Sequence, residues 1–143
     1  MVSIGPPPDD DFRSRIVDLL SAHAEAQGHP FTMDNIALEA REGDTYLGGL
    51  TAKMGGHWAF VELLAVADEA RGRGIGTQLM RAIEDRARAA GRIGIWLDTF
   101  AFQAPGFYEA LGYRQFGRID DYPPGSARLF YCKRLETAGK EFT

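Results

Sequence analysis

The chain has 143 residues, 45% apolar and 25% charged, ordinary globular values that fit a single domain over residues 1–143 with its own core. Its 16 basic against 20 acidic side chains, net −4, argue against nucleic acid as a general partner and mildly favour cationic small molecules. The lone Cys132 excludes an internal disulfide and fits a reducing cytoplasm, His23, His29 and His57 lack metal-ligand spacing, no apolar run spans a bilayer, and "MVSIGPPPDD" lacks the apolar core of a signal peptide.

The first predicted element is a helix in "PPPDDDFRSRIVDLLSAHAEAQGHP". Prolines precede it, and Asp9 to Asp11 offer a cap and negative charge at its start. Phe12, Ile16, Leu19, Leu20 and His23 share one face, and Gly28 and Pro30 stop it. Three strands follow, "IALEARE", "TYLGGLTAKM" and "HWAFVELLAV", separated by turn residues as in an antiparallel meander. In the third, alternation predicts Phe60, Glu62, Leu64 and Val66 on one face, with Val61, Leu63 and Ala65 on the other.

A second helix begins near Ile75, with Ile75, Leu79, Ile83, Ala87 and Ala90 as its apolar stripe. Arg81–Asp85 and Glu84–Arg88 are spaced as solvated opposite-charge pairs. "RIGIWLDTF" is the next strand, so strand, helix and strand predict a right-handed crossover with parallel neighbours. "APGFYEALGY" is a short helix with Pro105 in its first turn and Gly112 past its end. "YRQFGRI" and "ARLFYCKRL" close the chain as an antiparallel pair joined by "DDYPPGS". The expected class is α+β, a mostly antiparallel mixed sheet with one parallel pair and flanking helices.

The second helix opens on "ARGRGIGT". Glycine costs a helix roughly 1 kcal/mol per interior position relative to alanine, so three alternating glycines need a reason. A helix N-terminus carries unpaired N–H groups and about half a positive charge. Glycines let a bulky anion approach those groups, so the turn reads as a phosphate cradle, with Arg71 and Arg73 adding charge. No Gly-Lys-Ser/Thr ends the run, which excludes a Walker loop. A dinucleotide fingerprint needs a third glycine where Thr77 stands, and a parallel sheet where a meander lies upstream.

"LLAVADEARGRGIGTQLM", followed by "APGFYEALGY", resembles the GNAT family of N-acetyltransferases. The phosphate motif of that family, Arg/Gln-x-x-Gly-x-Gly/Ala, is met by Arg71, Gly74 and Gly76. Its second mark, an aromatic-Tyr pair before a Gly-aromatic, is met by Phe107-Tyr108 and Gly112-Tyr113. The resemblance runs from about residue 46 to residue 135; the N-terminal part is shorter than the family's usual pattern. It implies acetyl-CoA in a cleft where the strands "VELLAV" and "GIWLDTF" splay apart. By the same resemblance, backbone groups of Leu64, Ala65 and Val66 meet the pantetheine, and those of Arg71, Gly72, Arg73, Gly74, Ile75, Gly76 and Thr77 hold the pyrophosphate. The adenosine end rests near Phe102, Gln103 and Pro105.

Acetyl transfer to an amine needs a neutral nucleophile, a polarised carbonyl and a proton for the leaving thiolate. The amide near Leu64 is the candidate polarising donor. By spacing alone Tyr108 reads as a core aromatic; the resemblance places it beside the sulfur as the acid, since a phenol holds its proton at neutral pH. Glu62 interrupts an apolar strand and is the candidate base, direct or through water, or else a solvent-facing partner for a basic side chain. His57 is the weaker substitute. Asp98 reads as a strand-end cap before a substrate-binding residue, and Trp58, Phe31 and Trp96 as core before pocket. Asp120, Asp121 and Tyr122 form an acidic loop that is a solvated turn or a border for a cationic acceptor.

The implied function is transfer of acetyl from acetyl-CoA to a primary amine of a small molecule or peptide by direct attack in a ternary complex. The alternative is a non-catalytic acyl-CoA-binding module, which needs neither Glu62 nor Tyr108. A homodimer is expected by analogy.

Overall fold

The computed structural model describes residues 1–136. Two compact units divide the chain, residues 1–32 and 33 onward. The first holds helix α1 (Phe12–Ala26), none of whose residues is buried. The expected acidic cap takes a different form. Asp11 occupies the cap position without a side-chain bond, while Asp9 Oδ1 accepts from the Asp11 N–H at 3.0 Å and from Arg15 Nη1 at 3.1 Å.

The second unit is built on a six-stranded sheet. The expected meander is present as β1 (Met33–Glu42), β2 (Thr45–Gly55) and β3 (Trp58–Val66), successive antiparallel neighbours. A 3₁₀ turn, Asp68–Ala70, precedes helix α2 (Ile75–Ala89). Strand β4 (Gly94–Phe100) then pairs parallel to β3, as the crossover required. Helix α3 (Pro105–Ala110), β5 (Arg114–Asp120) and β6 (Ala127–Arg134) complete the chain, in the sheet order β1-β2-β3-β4-β6-β5. The closing hairpin therefore enters by its second strand: β6, not β5, lies against β4.

One face of this sheet carries Leu50, Ala52, Met54, Ala59, Val61, Ile95 and Leu97, all buried in one core with Ile75, Leu79, Met80, Ile83 and Ala87 of α2. Each large apolar side chain so buried contributes roughly 1.5–3 kcal/mol. The predicted stripe holds from Ile75 to Ala87, but Ala90, just beyond the helix, is exposed. Of the two pairs predicted on the wet side, Arg81–Asp85 does not form, and Glu84–Arg88 closes at 4.0 Å but without a solvated carboxylate. Glu84 is fully buried, and Arg81 turns to it at 3.3 Å rather than to Asp85. Met80, Ile83 and Ala87 widen the buried arc around position 84, which carries Glu84 inward.

The alternation predicted for β3 is also corrected. Thr51 pairs with Leu63, but Ala52 pairs with Val61, so Glu62 is the extra residue of a β-bulge. Cross-strand partners share a face. Leu64 opposite Leu50 therefore joins Val61 and Val66 on the core side, and Leu63 opposite Thr51 lies on the other.

Candidate active site

The parallel ladder between β3 and β4 has four rungs, from Trp58–Gly94 to Val61–Leu97, and then stops. Beyond it β3 remains paired only to β2, and β4 only to β6. The two strands splay, and the edge of β3 that includes Leu64, Ala65 and Val66 meets no strand partner from β4. Backbone polar groups on such an edge are available to a ligand.

The glycine turn faces the same opening. Gly72 and Gly74 have φ of +79° and +76°, with Gly74 as the cap of α2. Only glycine adopts that region without strain. A Cβ at either position would meet nothing within 4 Å, so the space above the turn is clear. Gly76 serves differently: its Cβ would lie 3.2 Å from Phe107 Cζ, so it lets α3 approach the first turn of α2. Arg71 donates its backbone N–H to Asp68 at 3.3 Å, and the next backbone donor after it to find a carbonyl is Gln78, to Gly74 at 3.0 Å. The amides between them are the unpaired N–H groups of a helix N-terminus, suited to a phosphate.

Splay, turn and α3 enclose a cleft of about 790 Å³. It brings together Leu64, Ala65, Val66, Arg71, Gly72, Gly74, Ile75, Gly76, Thr77, Phe102, Gln103 and Tyr108. Two of the expected cofactor-binding residues do not line it. Arg73 turns to Glu42 of β1, Nη2 to Oε2 at 2.6 Å, and Pro105 occupies the first position of α3. Three lining residues went unassigned by sequence reasoning, Ala70, Thr99 and Phe107, while Ala104 falls within the segment expected near the adenosine. The available signal was adjacency, since Phe107 belongs to the aromatic-Tyr pair and Thr99 is the next-to-last residue of the strand that leads to α3. Thr99 Oγ1 donates to Gln103 Oε1 at 3.2 Å, which also accepts the Phe100 N–H at 3.3 Å, so the loop before α3 is pinned to β4.

Tyr108 is 8% exposed, and its ring lies against Phe107, Tyr113 and Tyr131 at centroid distances of 5.0, 6.1 and 6.3 Å. Burial, and then the Asp98 charge, raise its pKa above the ordinary 10 of a phenol. It keeps its proton throughout the neutral range.

Glu62 does not line this cleft. It is exposed, with Oε1 accepting from Thr51 Oγ1 at 3.4 Å and Oε2 lying 3.6 Å from Lys53 Nζ. It is nonetheless the first β3 residue past the last parallel rung, Val61 to Leu97. Asp98 is its counterpart on β4, bound by Arg128 Nε at 2.8 Å and Nη2 at 2.7 Å, while Arg128 Nη1 donates to Tyr122 Oη at 3.1 Å. His57 is exposed in the β2–β3 turn, at the opposite end of β3 from the splay. Trp96 stacks on Phe60 at 4.1 Å, and Trp58 lies under Arg134 at 5.6 Å. Among the described residues no group of histidine, cysteine and acidic side chains has metal-binding geometry, and no helix is long and apolar enough to cross a membrane.

A mixed sheet with one splayed parallel pair, and a glycine turn opening a helix beside it, define the acyl-CoA N-acyltransferase fold. Residues 6–113 match the model of the Acetyltransferase (GNAT) family, and the chain belongs to that family, whose members use acetyl-CoA. Blasticidin-S acetyltransferase of Streptomyces morookaense is 45% identical over 89 residues, a match covering 62% of this chain and 65% of that protein. The matched stretch thus spans just under two thirds of that relative. The 1.9 Å crystal structure of an acetyltransferase from Bacillus cereus superimposes with a TM-score of 0.79 at 28% identity, over 92% of this chain and 98% of the other. An aminoglycoside 6′-N-acetyltransferase complexed with coenzyme A shares the fold, with a TM-score of 0.66 at 19% identity over 98% and 100% of the two chains.

Proposed function

We propose that the protein is an acetyl-CoA-dependent N-acetyltransferase acting on a primary amine of a small molecule or peptide, by direct attack in a ternary complex. The observation that carries this reading is the convergence of the β3 edge, the amides from Gly72 to Thr77 and the Tyr108 phenol on one cleft. An amide-lined helix start suits a pyrophosphate, an unpaired strand edge suits the pantetheine amides, and a protonated phenol suits a departing thiolate. The relative named for blasticidin-S supports a small-molecule amine as acceptor. A single domain over residues 1–143 belongs to the same proposal, supported by a family match that runs from residue 6 to residue 113; residues 137–143 lie outside the described residues.

Acetyl-CoA, when bound, supplies the thioester carbonyl and the leaving thiol. The chain's residues manage position and protons. The Leu64 amide is the donor offered to the carbonyl oxygen. Glu62, directly or through a water, accepts the proton that the amine loses as its nitrogen bonds to the acetyl carbon. Tyr108 Oη gives its proton to the sulfur as the carbon–sulfur bond breaks, and is reprotonated from solvent. A homodimer and a cytoplasmic location belong to the same proposal; the free, partly buried Cys132 and the exposed Phe116 and Ile119 of edge strand β5 support them.

Thiol release from acetyl-CoA across a panel of amines, with coenzyme A titrated by calorimetry, tests the reading. Saturable, amine-dependent thiol release is expected. Tight coenzyme A binding with no release on any amine would leave the acyl-CoA-binding module instead, and no binding would overturn both.

A further inference from the structure

Glu84 is the one fully buried acidic residue among those described. Nothing in the proton transfers above uses it, and a carboxylate without partners there would cost several kcal/mol. Its partners come from three elements. Tyr113 Oη, just before β5, donates to Oε2 at 2.9 Å. Lys133 Nζ of β6 donates to both oxygens at 3.2 Å, and Arg81 Nη1 of α2 to Oε1 at 3.3 Å.

These partners hold the far end of α3. Lys133 Nζ also donates to the Leu111 carbonyl at 2.9 Å, satisfying the C-cap residue of that helix. The Tyr113 N–H donates to the Tyr108 carbonyl at 3.0 Å, and so does the Leu111 N–H. The Tyr113 ring meets the Tyr108 ring edge-on, 6.1 Å between centroids. Helix α3 has six residues, too few to hold its own orientation, because a helix this short is marginal without tertiary support. Burial first, and then the Glu84 charge, push the Tyr113 pKa far above the phenol range, so this hydroxyl stays a donor at every working pH.

We infer that Glu84 is a positioning residue: through Tyr113 and Lys133 it fixes α3 relative to α2, and so holds Tyr108 in the wall of the cleft where the proposed acid must meet the thioester sulfur. The inference rests on the reading of Tyr108 as the acid. It makes one carboxylate the link between the helix whose start faces the phosphates and the helix that carries the acid.

A double-mutant cycle tests it. Thiol release is measured for wild type, Glu84→Gln, Tyr108→Phe and the double variant, with the amine that wild type turns over best. Glu84→Gln should lower kcat by about 10-fold or more while the KM for acetyl-CoA stays within about threefold, and the loss should vanish in the Tyr108→Phe background. An equal fold-loss in both backgrounds would show a general structural role and overturn the inference, with the acid assignment intact. A silent Tyr108→Phe would remove the acid assignment, and the inference with it. Should Glu84→Gln fail to fold, Tyr113→Phe removes only one of the donors to Glu84 and must give the same pattern in the cycle.

Discussion

Glu62 and Asp98 are the first residues of β3 and β4 beyond the last parallel rung, Val61 to Leu97, so two carboxylates flank the start of the splay. Their surroundings differ. Glu62 is exposed, with one hydroxyl and one ammonium near it, whereas Asp98 is mostly buried and held by two nitrogens of Arg128. A carboxylate held that way is committed to structure, and the looser one is free to take a proton. Glu62→Gln should therefore lower kcat by about 10²-fold without changing coenzyme A affinity. Equal turnover of Glu62→Gln and wild type across the neutral range would remove Glu62 as the base.

The Asp98–Arg128 pair has its own test. Arg128→Met leaves Asp98 mostly buried without its two charge-assisted bonds, and should cost about 1–3 kcal/mol in urea unfolding. Adding Asp98→Asn to that variant should cost less than Asp98→Asn alone. Simple additivity of the two changes would show that the pair contributes no coupling.

At the turn, Gly74→Ala forces a side chain into the left-handed region, at a cost of about 1–2 kcal/mol, and places a methyl in the space above the amides. Coenzyme A affinity should fall by about 10-fold or more, with a lowered Tm. Gly76→Ala should act differently, because its methyl would press on Phe107 rather than on the ligand. Calorimetric titration of both variants separates the two effects, and unaltered binding by Gly74→Ala would contradict a phosphate at this bend.

For Tyr108, the raised pKa means the acid form persists beyond the pH at which an ordinary phenol ionises. Turnover limited by this group should therefore hold to about pH 10 and decline only above it. Tyr108→Phe should lose about 10²-fold in kcat and show no such alkaline decline. The same alkaline limb in wild type and variant would assign it to another group.

Stability should decline in alkali. Tyr108, Tyr113 and Tyr131 all have pKa values raised in the folded state, chiefly by burial. The unfolded chain gives up these protons near pH 10 while the folded chain still holds them. Their contribution is complete below that point and is lost as pH rises toward the folded values. Urea midpoints from about pH 9 to about pH 11.5 should fall steadily, and Tyr113→Phe should flatten the fall. A midpoint constant over that interval would mean the phenols are not protected.

Most elements could be read from local pattern. The α2 stripe, the glycines at its start, the Pro105 and Gly112 brackets of α3 and the turns of the meander each depend on residues within one or two turns of chain. The glycine turn was recognisable for the same reason, whereas the aromatic-Tyr pair and the strand-edge and adenosine positions came from the family resemblance; the cleft gathers most of the residues so nominated. Arg73 fell outside it because spacing sets proximity along the chain, not direction: Glu42, from the first hairpin, supplies a partner that draws Arg73 away.

Contacts between distant segments escaped that reading. The bulge at Glu62 arises from the register of β3 on β2, and one unpaired residue there reverses which side Leu64 and Val66 face. Glu84 looked like a solvated helix charge, yet it is buried by Tyr113, 29 positions on, and Lys133, 49 positions on. Helical and turn preferences are short-range energies carried by neighbouring side chains. Burial of a charge and pairing of strands are set by whichever remote groups the chain brings alongside, and those became visible only in the folded molecule.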